Sequence, residues 1–455
     1  MSITRRGFIT GCSAAVAAYA GTNFNTLAFG EPTGTNEDIL VSVFLRGGMD
    51  GLNFVMPIAG ADRGHYEAAR PTVAVPTSGT NSAVPLNAQF GIHRAANTPI
   101  SGQNPPALLY DLFQDNRLSV VLAAGMHEDN RSHFDSMSFM ELGTPGQLAT
   151  ADGWLTRHLL SAQNLPPEIL MPALAVGNLQ QTSLRGSTDA VNMDNPDSFS
   201  LNVGPSQWRQ AWRVALRNMY GDANWLERAG GRALDAIDII ELNSDGDYTP
   251  ENGAIYPSGS LGRHFETIAR MIKLDIGLRI ATVDYGGWDT HNGQGESGGG
   301  YFFGRVQELS SALAAFYTDL DGSGANALSG RVTVVVMSEF GRRLRENGDR
   351  GTDHGHGNVM MVMSGNATGG IHGQWPGLAN GQLFDGADLE VTTDYRRVLS
   401  ELLIRRLGNP NLGQIFPGYG DYTPLGVVTG PDQTPIYGPE IFNDGFESGT
   451  LDAWA

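Results

Sequence analysis

The stretch "RVTVVVMSEFG", residues 331–341, carries the strongest buried-strand pattern in the chain, because β-branched and apolar side chains follow one another without alternation. A strand that is apolar on both faces is typical of a parallel sheet covered by helices on both sides. The segment before it, "VQELSSALAAFYTDL" (306–320), repeats apolar residues at helical spacing and predicts an amphipathic helix. A helix that leads directly into a buried strand is the repeating unit of an α/β fold.

The same alternation extends in both directions from this stretch. Strands are predicted in "ILVSVFL" (39–45), "LSVVLAAG" (118–125), "PALAVG" (172–177) and the first half of "IGLRIATVDYGGWDTH" (276–291), and helices in "LLYDLF" (108–113), "HFETIARMIK" (264–273) and "YRRVLSELLIRRLG" (395–408). The pattern predicts an α/β fold with a largely parallel central sheet flanked by helices on both faces. We expect one main domain over residues 38–430, in which the polar, irregular segment 178–260 forms an insertion or cap.

Composition limits the classes of partner. The chain has 455 residues, 41% of them apolar, and a formal net charge of −19. This acidic balance argues against nucleic acid or an anionic membrane as the main partner. The sequence contains no apolar run long enough to span a bilayer, so a stable membrane span is not expected.

The N-terminus resembles a twin-arginine export signal. "ITRRGFIT" (3–10) places Arg5 and Arg6 before a weakly hydrophobic run of small residues, and we predict a signal peptide over residues 1–30. The expected partner is then the twin-arginine (Tat) export machinery, and the expected location is periplasmic or secreted. Cys12 is the single cysteine and lies in this segment, which excludes disulfides and thiol chemistry from the processed chain. Residues 431–455 are predicted to form a flexible C-terminal tail.

Acids and histidines follow four of the predicted strands, where ligands gather in open α/β sheets. The candidate residues are Asp50, His127, Arg131, Ser132, His133, Asp289, His291, Glu339, His354 and His356. Imidazoles combined with carboxylates suit Zn²⁺ or Mn²⁺, whereas carboxylates alone favour Ca²⁺ or Mg²⁺. Taken singly, each group also fits a polar turn, and Ser132 also fits a helix N-cap. Their shared position after successive strands favours a polar active-site cleft.

Several of these segments together resemble one family. "FLRGGMDGLN" (44–53), "NRSHFDSMSFMELG" (130–143), "GGWDTHNGQ" (286–294) and "VVVMSEFGRRLRENGDRGTDHGHGN" (334–358) are similar to the DUF1501 family of exported bacterial proteins, with a resemblance that runs from about residue 38 to 416. The resemblance implies the fold of the alkaline phosphatase/sulfatase-like superfamily. Members of that superfamily hold one or two divalent metals at strand ends and use a Ser, Thr or modified Cys nucleophile.

The resemblance also implies roles for individual residues. Carried over by position, the metal ligands are Asp50, Asp289, His291, Glu339 and His356, with His354 as the alternative to His356, and Ser132 is the nucleophile. Glu339 falls where the superfamily has an adjacent Asp–His pair, and the second position here is Phe340, which cannot ligate a metal. Asp353 is expected to orient one of the imidazoles. The implied cofactor is a divalent ion, either Zn²⁺, Mn²⁺ or Ca²⁺.

These expectations lead to two rival functions. The first is an exported metal-dependent hydrolase of phosphate or sulfate esters, acting on a small-molecule or glycan ester. Arg131 or Arg46 would clamp the anionic ester, and His133 or His127 would protonate the leaving group. The alternative is a non-catalytic envelope protein that keeps the sulfatase-like fold to bind a ligand or partner. Phe340 and the unusual nucleophile motif favour this alternative.

Overall fold

The computed structural model describes residues 36–148, 150–165, 169, 171–201, 205–220, 225–243, 248–322 and 327–437. The predicted signal peptide lies outside these residues, as do residues 438–455 of the predicted tail. Within the described part of the chain, no helix combines the length and the apolar character needed to cross a membrane.

Fourteen strands and eleven α-helices are described. The strands are β1 (Ile39–Leu45), β2 (Val55–Pro57), β3 (Val84–Pro85), β4 (Phe90–Ile92), β5 (Leu118–Gly125), β6 (Ala173–Val176), β7 (Ala190–Met193), β8 (Ile280–Tyr285), β9 (Val332–Met337), β10 (Arg342–Glu346), β11 (Thr352–His354), β12 (Asn358–Ser364), β13 (Gly370–His372) and β14 (Thr393–Asp394). The helices are α1 (Gly51–Phe54), α2 (Gly60–Ala69), α3 (Leu109–Gln114), α4 (His133–Leu142), α5 (Trp154–Ser161), α6 (Arg209–Met219), α7 (Trp225–Asn243), α8 (Ser260–Lys273), α9 (Gly300–Leu320), α10 (Tyr395–Arg405) and α11 (Leu412–Ile415).

The central sheet has nine strands in the order β13-β5-β12-β9-β1-β8-β6-β7, with β14 also paired to β5. β1 lies in the middle and pairs in parallel with β8 on one side and β9 on the other. β12 runs antiparallel to both β9 and β5. The predicted α/β fold with a mostly parallel sheet is therefore confirmed, and the sheet is mixed rather than purely parallel. The cause is the connection from β9 to β12, which contains the β10–β11 hairpin and no crossover helix, so the chain returns in the opposite direction.

The two faces of the sheet carry two separate cores. Successive residues of β1 alternate between them: Val41 and Val43 belong to one cluster, and Leu40 and Phe44 belong to the other. Helices α3, α8 and α9 contribute to the first cluster, and α4, α5, α10 and α11 contribute to the second. All seven residues of β1 are buried, which is the physical reason for its continuous apolar sequence.

The segment 178–260 contains β7, α6 and α7 in its described part. β7 extends the edge of the central sheet by pairing with β6. α6 and α7 are joined by ion pairs between the arginines of one helix and the acids of the other. Whether this segment acts as a cap stays a prediction.

The loops that carry the candidate polar residues lie at one edge of the sheet. β1, β8 and β9 are parallel, so the loops after them, 46–50, 286–291 and 338–341, leave the sheet at the same edge. β5 has the same direction, because it is antiparallel to β12, which is antiparallel to β9. The loop after β5 leads into α4 at this edge.

Candidate metal centre

Arg342 ties the loops of this edge together. Its side chain is buried and donates hydrogen bonds to the backbone oxygens of Gly47, Gly48 (2.6 Å) and Thr352 (2.8 Å). The same guanidinium donates to Asp289 Oδ1 at 2.7 Å. A planar guanidinium offers donors in fixed directions, so one side chain sets the positions of several loops at once.

Three imidazoles surround Asp289. The Nε2 atoms of His133, His291 and His354 lie 3.5, 3.2 and 3.4 Å from Asp289 Oδ1. The Nε2 atoms of His291 and His354 are 2.8 Å apart. His133, Asp289 and His354 each offer a ligand atom within 4.8 Å of the others, which makes them a candidate metal-binding triad. His291 lies beside this triad.

Each of the three imidazoles is held at its other nitrogen. His133 Nδ1 pairs with Glu339 Oε1 at 2.7 Å, and His291 Nδ1 pairs with Asp353 Oδ1 at 2.9 Å. His354 Nδ1 lies 2.8 Å from the backbone oxygen of Arg131, which can only accept a hydrogen bond. With a proton on each Nδ1, the Nε2 atoms present lone pairs toward the Asp289 carboxylate. Metal-bound histidines are oriented in this way by acceptors at the second nitrogen.

This donor set fits a divalent cation. His133 Nε2 is buried and has no hydrogen-bond partner among the described residues. The two facing Nε2 lone pairs of His291 and His354 repel each other unless a cation or a proton lies between them. Imidazole and carboxylate ligands suit Zn²⁺ or Mn²⁺ better than they suit Ca²⁺.

The two carboxylates that contact His133 are held in the charged form. Partial burial raises the pKa of Asp289, but the hydrogen bond and charge of Arg342 outweigh it and lower that pKa to about 2. Burial likewise opposes ionisation of Glu339, yet the hydrogen bond from His133 and backbone N–H groups lower its pKa. The hydrogen bond to Glu339 raises the pKa of His133, and burial lowers the pKa of His354. Both carboxylates are therefore ionised at neutral pH.

Phe340 lines this cluster. Its ring lies 4.9 Å from the ring of His133 and 4.9 Å from that of His354. The residue that cannot ligate a metal thus forms an apolar wall beside two imidazoles. It keeps water from that side of the cluster and restricts the orientations of both rings.

The structure places three residues of the expected ligand set outside the group of imidazoles around Asp289: Asp50, His356 and Glu339, which instead pairs with His133 Nδ1. Asp50 is buried in an ion pair with Arg70 (2.7 Å), accepts a hydrogen bond from Gln294 (2.6 Å) and caps α1 through the N–H of Asn53. His356 is 5% exposed and stacks on Phe384, and burial lowers its pKa to about 4.

The structure gives each residue that was expected to act in catalysis a different set of contacts. Ser132 Oγ caps α4 by accepting from the N–H of Asp135 at 3.5 Å. The Arg131 side chain is bound to Asp388 at 2.7 Å and also contacts Asp129 and Asp385, and its carbonyl orients His354. His127 is exposed in the loop after β5. His133, expected as a proton donor, lies in the metal-binding triad.

Residues 258–408 match the family described as "Protein of unknown function (DUF1501)". The match supports this family. It covers Asp289, His291, Glu339 and His354 and leaves β1 and β5 outside.

A solved structure described as "Structure of alkaline phosphatase from the Antarctic bacterium TAB5" is 11% identical, covers 74% of this chain and 94% of that chain, and has a TM-score of 0.27. A similarity at this level carries no argument about activity. No curated protein matches the chain.

Sequence reasoning missed Arg342, the residue that connects the loops. The available signal was its position, since it follows the strongest buried strand by five residues in "MSEFGR". If an arginine at this position points into the interior, it needs several hydrogen-bond acceptors. From the sequence Phe340 is recognisable only as a missing ligand, because its contact with two imidazoles is a property of the folded loops.

Proposed function

We propose that this protein is a metal-dependent hydrolase of phosphate or sulfate esters. The observation that carries the proposal is the set of three imidazoles whose Nδ1 atoms are held by acceptors and whose Nε2 atoms surround Asp289. The ester class rests on the resemblance of the motifs at these strand ends to the alkaline phosphatase/sulfatase-like superfamily. The twin-arginine motif at Arg5 and Arg6 supports export of the folded chain to the periplasm or beyond.

Each residue of the cluster has a defined part in this proposal. His133, Asp289 and His354 would hold the metal, and a divalent ion bound there would supply Lewis-acid polarisation of the ester oxygens. Glu339 keeps the proton of His133 on Nδ1, so that Nε2 remains a ligand atom. His291 is 41% exposed at its side chain, and its Nδ1 is held by Asp353. Its Nε2 lies 2.8 Å from that of His354, so His291 would serve as a further ligand of the same ion.

The proposal is tested by metal content and ester hydrolysis measured on the same preparations. Asp289→Asn removes a charged ligand, and we expect loss of bound metal and a fall of more than about 100-fold in the hydrolysis of an aryl phosphate or aryl sulfate. Glu296→Gln is the matched control, because Glu296 is about as exposed as Asp289 (55% against 50%) and is also paired with an arginine, Arg350. Unchanged activity in Asp289→Asn would refute the assignment.

A second candidate function is favoured by the contacts that the arginines and the serine of this site already make. The guanidinium of Arg131 is bound to acids, that of Arg46 is bound to Glu141 and Asp284, and Ser132 caps a helix. None of the three stands free to bind an anion or attack an ester. These contacts support a metal-holding envelope protein that binds a ligand without cleaving it. A purified protein that contains metal and hydrolyses neither ester would favour this candidate.

A further inference from the structure

Gln294 is a fully buried residue whose side chain joins three segments beside the metal centre. Its Nε2 donates a hydrogen bond to Asp50 Oδ2 at 2.6 Å, in the loop after β1. Its Oε1 accepts hydrogen bonds from the hydroxyl of Thr290 (2.9 Å), in the loop after β8, and from that of Thr352 (2.8 Å), at the start of β11. One amide therefore connects the loops after β1 and β8 to β11.

The partners of this amide fix its orientation. The carboxylate of Asp50, which is paired with Arg70, accepts hydrogen bonds, so it must face the NH₂ group of Gln294. The amide oxygen then faces both threonines, and its two lone pairs match their two hydroxyl protons. Thr290 and Thr352 are both buried. Without the amide, two buried hydroxyls would lose their acceptor, which costs free energy and leaves both segments less constrained.

Both threonines are close in sequence to the residues of the metal centre. Thr290 lies between Asp289 and His291, whose Oδ1 and Nε2 atoms are 3.2 Å apart. Thr352 and His354 are the first and last residues of β11, so a movement of one is passed along the strand to the other. Distances from a metal to its ligands are held to within about 0.2 Å. A small displacement of either threonine is therefore enough to disturb the site.

Asp50 gives the amide an anchor that is separate from the metal ligands. Arg70 binds Asp50 at 2.7 Å and also donates to the backbone oxygens of Arg343 and Leu344 in β10, both at 2.8 Å. Asp50 also caps α1. Its position is thus set by β10 and α1, and Gln294 holds the two threonines relative to it.

We propose that Gln294 is a positioning residue of the metal centre. It sets the spacing between the loop that carries Asp289 and His291 and the strand that carries His354, without touching the ion. The inference rests on the proposed metal centre and is independent of whether the protein hydrolyses esters. A backbone hydrogen bond from the N–H of Thr352 to the oxygen of Thr290 (3.0 Å) also joins the two segments. Variants that lack the amide should therefore fold and differ in metal binding.

The test compares metal binding by folded variants of the full chain. Gln294→Met removes the amide at similar volume, and the chelator-treated variant should bind Zn²⁺ about tenfold more weakly than the wild-type chain. Thr290→Val with Thr352→Val removes both hydroxyls and leaves Gln294 in place, and we expect a similar loss. The visible absorption of the Co²⁺-loaded protein reports the coordination geometry and should change in both variants.

The chain offers a matched control for each substitution. Gln181 is 4% exposed, donates to Asp284 at 2.6 Å and accepts from the hydroxyl of Ser183 at 3.1 Å, so Gln181→Met removes a similar buried amide outside the three segments. Thr333→Val removes a buried hydroxyl of β9 that donates to Ser364 at 3.3 Å. Both controls should leave the Zn²⁺ affinity and the Co²⁺ spectrum unchanged, even where they lower the stability of the fold.

Other results would overturn the inference. Wild-type Zn²⁺ affinity and Co²⁺ spectra in Gln294→Met and in the double threonine variant would refute it and leave the metal centre standing. Equal losses in the controls would show that reduced stability alone weakens metal binding. A wild-type chain that binds neither ion would refute the metal centre and this inference with it. Circular dichroism checks that each variant is folded, and if Gln294→Met does not fold, the double threonine variant decides the outcome.

Discussion

At the scale of single residues, the triad of His133, Asp289 and His354 depends on groups that would not touch a bound cation. Glu339 has almost no exposed surface, and its Oε1 both pairs with His133 Nδ1 and accepts the N–H of Gly47 at 2.8 Å. These bonds fix the ring orientation and the tautomer of His133. Asp353 holds Nδ1 of His291 in the same way, and the backbone carbonyl of Arg131 holds Nδ1 of His354.

Glu339→Gln is therefore expected to lower metal affinity by about 10- to 100-fold, because a neutral amide holds the Nδ1 proton less strongly than a carboxylate. The measurement is a titration of chelator-treated protein with Zn²⁺ and with Mn²⁺. Glu401→Gln is the matched control, since Glu401 is equally buried and accepts backbone N–H groups of Leu425 and Gly426. Equal affinities in the two variants would show that Glu339 only supports the fold.

At the scale of elements, β10 places two neighbouring arginines in opposite environments. Arg342 points into the loops and is buried, whereas Arg343 is 46% exposed at its side chain. This follows from the alternation of a strand. Arg342 joins the loops after β1 and β8 to β11, so the site is assembled by contacts between elements that are distant in sequence.

We expect Arg342→Met to lower the free energy of unfolding by about 3–5 kcal/mol, because the buried oxygens of Gly47, Gly48 and Thr352 lose their donors. Metal affinity should fall in the same variant, since Asp289 loses the partner that positions it. Arg343→Met, the neighbouring control, should change the free energy of unfolding by less than about 1 kcal/mol. Urea unfolding of both variants measures the difference, and similar losses would contradict the assigned role of Arg342.

At the scale of the whole molecule, the sequence predicts the elements whose signal lies within one segment. It does not predict contacts between segments that are distant in the chain. The strands at 39–45 and 118–125 have the predicted bounds, because continuous apolar runs are written into the chain. The antiparallel direction of β12 was not predicted, because it depends on a hairpin made of "RRLRE" and "TDH", which has no apolar signature. Position after a strand was enough to select Asp289 and His354 as candidates. Which candidates meet depends on the order of the strands, and no single segment encodes that order.

The dependence of stability on pH is also a property of the whole molecule, and two buried histidines contribute to it. His93 and His158 are both 1% exposed, and burial lowers the pKa of each to about 4, from a value near 6.5 in an unfolded chain. Above pH 6.5 neither state takes up a proton at these rings. Between pH 6.5 and 4 only the unfolded chain does, so stability is lost as the pH falls. At pH 5 each histidine should lower the free energy of unfolding by about 2 kcal/mol relative to its value above pH 6.5.

Urea unfolding at pH 7 and pH 5, in chelator so that bound metal does not contribute, measures this loss. His158→Gln should lose less free energy of unfolding between the two pH values than the wild-type chain, by about 2 kcal/mol, because the amide does not titrate. His65→Gln removes an exposed histidine and should follow the wild-type chain. If His158→Gln also follows the wild-type chain, then the buried imidazole takes up its proton without unfolding, and the packing around Asn409 and Ser161 must admit a charge.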